Sequence, residues 1–557
     1  MRLLRNSPGF RKLPPPMPYS ETQRRLLERY FSVVDGPGHA DVYLVRNLPQ
    51  EVAATLNGVY SRSSKSMRDQ FLERLEQGLT ATGQSLDEFL AKTPASDTLT
   101  SVMADKAGQF LKTYAIDHGH NSLREGSIVH LAIERVSQLV TRFIQRERRC
   151  TFEESSTRYI SFSAETHWRD PDVVAAGGEI LAAYDSVLAS TFALYRELTV
   201  TLLSHLQELR PRQQDEKEGP WLRTLKAEAF DAARYLLLPA IYTKWGMVAD
   251  ARTLSDVITE LTSHPLAEFR AVGEKMREQA ELALPTLLSY ARPNDYLRSQ
   301  HTMLRRIAGE LQLRPEQTAQ SHAAEGHVTL LQYDQDLDVR LLASLLYEHC
   351  SVPFAAATAR VATLTDGQRV QLLDEIMAAR GKHDGWPSGL EGGAPFDFEV
   401  LLDFGAYRDI GRHRKGFQQQ QTLTVEHGFA VPPLVDSAGK GAQYREVLER
   451  AAAAQQKVAA RFPHAAAYVT PFAFLQRVRI VFEPRQLAYF VELRSGPEGH
   501  FSYRKVAIEM FLRMQAVTPL FARYVRVRLG EAFLGRMENE QSADERRQKR
   551  MHAAGDA

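Results

Sequence analysis

A strand followed by an amphipathic helix occurs twice in this chain, and that recurrence constrains the fold more than any other feature. Val42-Tyr43-Leu44-Val45 reads as a short strand, and 51–61 as a helix with Val52, Leu56 and Val59 on one face. Val328-Thr329-Leu330-Leu331 repeats the strand, and 338–347 repeats the helix through Val339, Leu342, Leu345 and Leu346. Duplication predicts two domains of related architecture, and 557 residues exceed what one hydrophobic core usually organises. Arg292-Pro293 and the polar run 315–326 mark the joint, because clustered Pro, Gln, Ser and Gly supply no apolar face. The expected organisation is a flexible arm over 1–30, a first domain over 31–320, a second, diverged domain over 321–535 and a charged flexible tail over 536–557. Alternating strand and helix signals, with long amphipathic helices at 267–284 and 444–461, place the chain in the α+β class, each domain a mixed sheet packed with helices.

Charge and cysteine content narrow the partners. Hydrophobic residues make up 44% and charged residues 25%, the balance of a chain that buries a core. A formal net charge of +1 provides no global field for nucleic acid or an anionic membrane, so an anion site has to be a local pocket for a small-molecule phosphate. Cys150 and Cys350 stand far apart without zinc or redox spacing, which fits a reducing compartment. No run reaches the roughly 18 to 20 apolar residues of a membrane span, and 1–18 carries Arg2, Arg5, Arg11 and Lys12 around prolines with no signal-peptide core. The expectation is a cytoplasmic protein without nucleic-acid or membrane partners.

Each half also delivers arginines at the end of an element. In the first, 111–149 carries a helical stripe at Ile128, Leu131, Val136, Leu139, Val140 and Phe143 that leads to Arg142, Arg146, Arg148 and Arg149. In the second, Phe396, Phe398, Val400 and Leu402 alternate as a strand, and Asp403 can cap a short helix that leads to Arg408, Arg412 and Arg414. The first arginine run enters a hydroxyl-rich loop through Thr151 to Ser156 and Arg158, in which neutral donors and a planar guanidinium suit a phosphate. The second run, Arg412-His413-Arg414 through Thr422, keeps the basic start and loses the phosphate end.

These segments resemble the flavin-dependent thymidylate synthases, whose signature is Arg-His-Arg, seven residues, then Ser, commonly followed by x-Arg. Arg146 to Arg158 keeps the spacing with Glu147 for His, and Arg412 to Thr422 keeps the triplet with Thr for Ser. Further landmarks follow in order: Gly119-His120-Asn121-Ser122 with Glu125, Ala233-Arg234 through Tyr242-Thr243, and Asp250-Ala251-Arg252-Thr253-Leu254, with His264 and Glu268 completing that copy. Thr470-Pro471, Glu483-Pro484-Arg485-Gln486-Leu487, Leu493-Arg494 and His500 repeat the order. The resemblance covers most of 40–285 and 325–515. It implies FAD-mediated reductive methylation of dUMP or a related uracil nucleotide, with methylenetetrahydrofolate as carbon donor and NADPH as reductant.

Because the family builds each site from different subunits, the resemblance implies two unequal composites here. One joins Ser122, Glu154, Ser156 and Arg158 to Arg412, His413, Arg414, Arg485 and Arg494. Its implied catalytic residues are Arg494, on the uracil anion, and Ser156. Ser156, Arg158, Arg412, Arg494 and Arg234 are the implied nucleotide ligands; Ser122, His120, Glu154, Arg412, His413, Arg414, Arg485 and Arg252 are the implied FAD ligands. The reciprocal composite has Leu261 at the late-arginine position with Glu260 beside it. Should Glu260 turn inward, two like charges at about 4 Å would repel by roughly 4 kcal/mol at an effective dielectric of 20. Ala467 replaces a family arginine, and Glu483 an asparagine expected beside the flavin. These departures carry a second reading, a non-catalytic FAD- and nucleotide-binding paralogue. A homodimer would reproduce the family's four units. His118 and His120 have no third ligand at metal spacing, so no metal is expected, and neither 389–393 nor 439–441 completes a phosphate-binding loop.

Overall fold

The computed structural model describes residues 19–32, 34, 45, 47–60, 66–81, 83–92, 107–118, 120–154, 167–214, 216–313, 328–381 and 383–530. Among the described residues, seven strands form two sheets. β1 (Ile128–Ser137), β2 (Thr151–Glu154) and β3 (Tyr242–Asp250) lie in the order β1-β3-β2; β4 (Val328–Gln332), β5 (Phe396–Asp403), β6 (Phe417–Gln420) and β7 (Leu475–Phe482) lie in the order β4-β5-β7-β6. The chain divides into two compact units, 1–133 with 149–153 and 245–306, and 134–148 with 154–244 and 307–557. This partition differs from that of the sequence repeat, since the second unit contains residues of both halves.

In the first unit the helices Glu21–Tyr30, Gln50–Tyr60 and Met67–Ala81 close around Leu26, Leu27, Phe31, Leu56, Phe71 and Leu75. Ser20 starts the first of these with a capping box through Gln23. The expected strand 42–45 falls outside the described residues except for Val45, which bridges Phe31 antiparallel. The helices Ala251–Thr262 and Ala267–Glu281 pack through Gly273, where a Cβ would stand 2.7 Å from the Leu261 Cβ, closer than any side chain allows.

In the second unit β5 is the spine of an antiparallel sheet. Phe398 pairs with Leu330 on one side and with Ile480 on the other. Phe396, Phe398, Val400 and Leu402 are buried, as their alternation predicts. They meet Val478, Ile480, Phe482, Phe490, Met510 and Met514, each worth about 1.5 to 3 kcal/mol on burial. The long helices Gly178–Leu209 and Gly441–Arg461 also belong to this unit, and Glu197 joins them by accepting from Lys440 at 2.6 Å and Gln443 at 2.9 Å.

Two expectations need correction. Ile128, Leu131 and Val136 lie on strand β1, not on a helix; of that stripe only Leu139, Val140 and Phe143 are helical, on Gln138–Ile144. The alternation of Val129, Leu131 and Ile133 shifts phase at Arg135, whose φ of 54° is left-handed, so the apolar residues imitate a helical spacing. The joint also contains a helix, Asp295–Glu310, that its polar flanks conceal. Among the described residues no helix is long and apolar enough to cross a membrane.

Candidate functional site

Two matching turns build the site, and their caps, short helices and arginine triplets, with Glu154, fall in the second compact unit. Ser137 accepts a hydrogen bond from the Val140 N–H at 3.2 Å and starts a seven-residue helix; Asp403 accepts from the Ala406 N–H at 2.6 Å and starts another of seven. From there residues correspond one to one: Arg142 to Arg408, Arg146 to Arg412, Glu147 to His413, Arg148 to Arg414 and Glu154 to Gln420. The backbone repeats the correspondence. Leu139 N–H donates to Pro239 C=O at 3.2 Å, and Gly405 N–H to Phe472 C=O at 3.0 Å. The halves also exchange equivalent bonds, Ala240 N–H to Tyr468 C=O at 3.0 Å and Ala473 N–H to Tyr235 C=O at 2.9 Å.

One carboxylate lies where the halves meet. Glu154, 3% exposed, pairs with Arg142, stands 3.5 Å from Arg408 and accepts from Gln138 Nε2 at 3.1 Å. Burial alone would push its pKa up, but Arg142, Arg408 and Arg412 outweigh that and hold it below the usual carboxylate range. Burial lowers Arg408 to about 9 despite Glu154. Asp403 shows the opposite outcome. It is equally buried, with Ser502 and a backbone N–H as hydrogen-bond donors, and burial leaves its carboxyl raised.

A second chain of contacts leads away from this carboxylate. Arg234 bridges Asp231 at 3.4 Å and Asp409 at 3.3 Å, while Asp409 C=O accepts from Arg494 Nη2 at 3.0 Å. Arg494 Nε donates to His413 Nε2 at 2.8 Å and its guanidinium lies 5.2 Å from the Tyr503 ring centre. Because arginine only donates, His413 must be neutral with its proton on Nδ1. Burial, helped by Arg494, depresses the His413 pKa to about 3. Among the described residues, Glu154, Asp231 and Asp409 are accompanied by Arg142, Arg234, Arg408, Arg412 and Arg494, five cations against three anions.

The remaining expected ligands are spread more widely. Arg412 is exposed and Arg414 half-buried. Arg485 and Lys415 share the carboxylate of Glu391, and Lys415 also lies 3.1 Å from Glu483, so the anion at that departure from the family is neutralised. In the first unit Arg252 pairs with Glu125 at 2.7 Å, as does Arg149 at 2.9 Å. His120 and Ser122 are exposed at the start of the helix Asn121–Glu125. Leu261 is fully buried and Glu260 exposed, so the inward turn that would have produced like-charge repulsion does not occur. Ser156 and Arg158 lie outside the described residues.

Sequence reasoning delivered Arg142 and Arg408 to this region without giving them a role, and it missed Asp231, Asp409, Lys415 and Glu391. The first pair had a usable signal, since Arg142 precedes its triplet by the same interval as Arg408; the carboxylates come from neighbouring turns with no shared spacing. Among the described residues no cluster of three or more His, Cys, Asp or Glu could hold a metal ion.

Known proteins extend this picture. A UPF0159 protein of Chlamydia muridarum is 28% identical over 537 residues, 94% of this chain and 98% of that protein. A UPF0159 protein of Thermoplasma acidophilum is 23% identical over 480 residues, 78% and 92% of the two chains. A flavin-dependent thymidylate synthase of Nitratidesulfovibrio vulgaris is 25% identical over 188 residues, 34% of this chain and 69% of that enzyme. The family model described as thymidylate synthase complementing protein matches 73–286 and again 329–520, and with both copies of the repeat so covered, the chain belongs to that family.

Proposed function

We propose that the chain is a flavin-dependent thymidylate synthase-like enzyme that methylates dUMP, or a related uracil nucleotide, at the cationic cluster of the second compact unit. The observation that carries the reading is the excess of guanidinium groups over carboxylates around Glu154, Asp231 and Asp409, to which both halves contribute. A surplus of two cations suits a phosphate dianion, and planar forks suit its oxygens. Glu154 keeps Arg142 and Arg408 charged and fixed. Arg412 is exposed to meet the nucleotide, Arg234 is held buried between Asp231 and Asp409 as a source of positive charge, Ser156 and Arg158 are the expected phosphate ligands, and Arg494 places positive charge where the uracil ring develops negative charge.

FAD fits the neighbouring residues. Glu391 lies between Lys415 and Arg485 as an anion would, and such a half-exposed ion pair is worth only about 0 to 1 kcal/mol, so a diphosphate can replace it. When bound, the flavin supplies the hydride that completes reduction of the one-carbon unit received from methylenetetrahydrofolate, with NADPH restoring reduced flavin. Ala467, where the first half has Arg234, favours the second reading of a chain that binds these ligands without turnover. A homodimer, giving four family units, is the proposed assembly.

The deciding experiment is growth of thymidine-requiring cells on this gene; sustained growth is expected, and none from a well-expressed, FAD-loaded chain would leave the binding-only reading. Arg494→Ala should lower dUMP affinity by about a hundredfold or more, as loss of a charge-assisted contact does, while Glu260→Ala leaves it unchanged. Equal losses in calorimetric titrations would end the assignment of one working site.

A further inference from the structure

We infer that His413 is a positioning residue for Arg494: as a neutral acceptor it fixes the guanidinium in the orientation that meets the base, rather than serving as a flavin ligand. The inference rests on the functional reading above. Its first support is geometric. His413 is 6% exposed, Phe490 meets its ring edge-on at 4.9 Å, and its Nε2 is committed to Arg494 Nε at 2.8 Å. The Asp409 carbonyl takes Nη2 of the same guanidinium, so two of its nitrogens are tied down on one side. Nη1 makes no hydrogen bond among the described residues and remains a donor for a ligand.

The second support is independent, because the duplication supplies an internal control. The position matching Arg494 is Leu261, buried in an apolar core, and the position matching His413 is Glu147, half-exposed. Where the guanidinium is gone, the neutral imidazole is gone too, and an acidic side chain stands in its place. An imidazole required by that arginine is expected to vary with it, as these two positions do. Neutrality also matters. A cationic imidazole could neither accept from Arg494 nor tolerate it at 2.8 Å.

The test is a double-mutant cycle on the full chain, with dUMP affinity read by calorimetry and flavin content read separately from absorbance of the released cofactor. His413→Phe should weaken dUMP binding by about tenfold to a hundredfold, the scale of a hydrogen bond to a charged group, with flavin content unchanged. In the Arg494→Ala background His413→Phe should cost nothing further, and His413→Gln, which keeps a neutral acceptor, should restore affinity to within about threefold of the parent. Should His413→Phe fail to fold, His413→Leu takes its place in the cycle. Additive losses, or loss of flavin with dUMP affinity intact, overturn the inference and leave the functional reading standing. A parent chain that binds no dUMP overturns both.

Discussion

The two arginine turns began as one structure and now differ in what they can hold. Each has a strand, a capped seven-residue helix, a basic triplet and a four-residue strand. In the second, the triplet histidine accepts from Arg494, and Lys415 with Arg485 holds the side chain of Glu391. In the first, Glu147 replaces the histidine, Leu261 replaces the late arginine, and Arg252 and Arg149 are tied to Glu125. The scaffold is alike on both sides, while the paired histidine and arginine occur on one. Backbone caps and strand pairing depend on local geometry that both turns share, whereas the charged partners of each turn are supplied by different residues.

Three measurements can break or sharpen this comparison. The largest effect is expected from Glu154. Its removal in Glu154→Ala leaves Arg142 and Arg408 buried without their anion and should cost about 3 to 5 kcal/mol in denaturant unfolding. The matching change, Gln420→Ala, touches no charge and should stay within about 1 kcal/mol; similar losses would mean that the two sides are equivalent after all. Next come the caps. Asp403→Ala removes acceptors for both the Ala406 N–H and Ser502 and should cost about 2 kcal/mol, against about 1 for Ser137→Ala. The reverse order in urea midpoints would contradict the closer integration of the second turn.

The smallest effect concerns acid. His413 has a folded-state pKa of about 3 against an ordinary 6.5, so folding disfavours its protonated form. Its contribution to stability is complete above pH 6.5 and declines as pH falls toward 3. Between pH 6.5 and 4.5, above the range in which Glu154 titrates, the parent should lose stability faster than His413→Gln. Parallel stability profiles for the two would show that the imidazole is not held neutral.

Much of the second half was legible because local signals agreed there. Phe396 to Leu402 alternate and Asp403 is a capping residue followed by a helix of the expected length. The corresponding strand of the first half misled because Arg135 takes a left-handed conformation that interrupts the alternation, a backbone choice that composition does not announce. At the site, Arg494 and the Arg412-His413-Arg414 triplet stood out through spacing. The partner of His413 did not, since a neutral acceptor and a flavin ligand are the same residue type until the fold brings an arginine to one face of the ring. Asp409 and Asp231 were silent for a related reason, because a carboxylate's role depends on which guanidinium groups tertiary packing brings near it.

The lone Glu154, opposite a glutamine at its matching position, has an evolutionary corollary. Two copies of the first half could each bring one acid and one base to their junction, but two copies of the second would bring Arg408 twice and Gln420 twice, without the glutamate that faces Arg408 here. With the acid carried by one repeat and Arg408 by the other, each half completes what its counterpart lacks, and the pair is no longer made of interchangeable members.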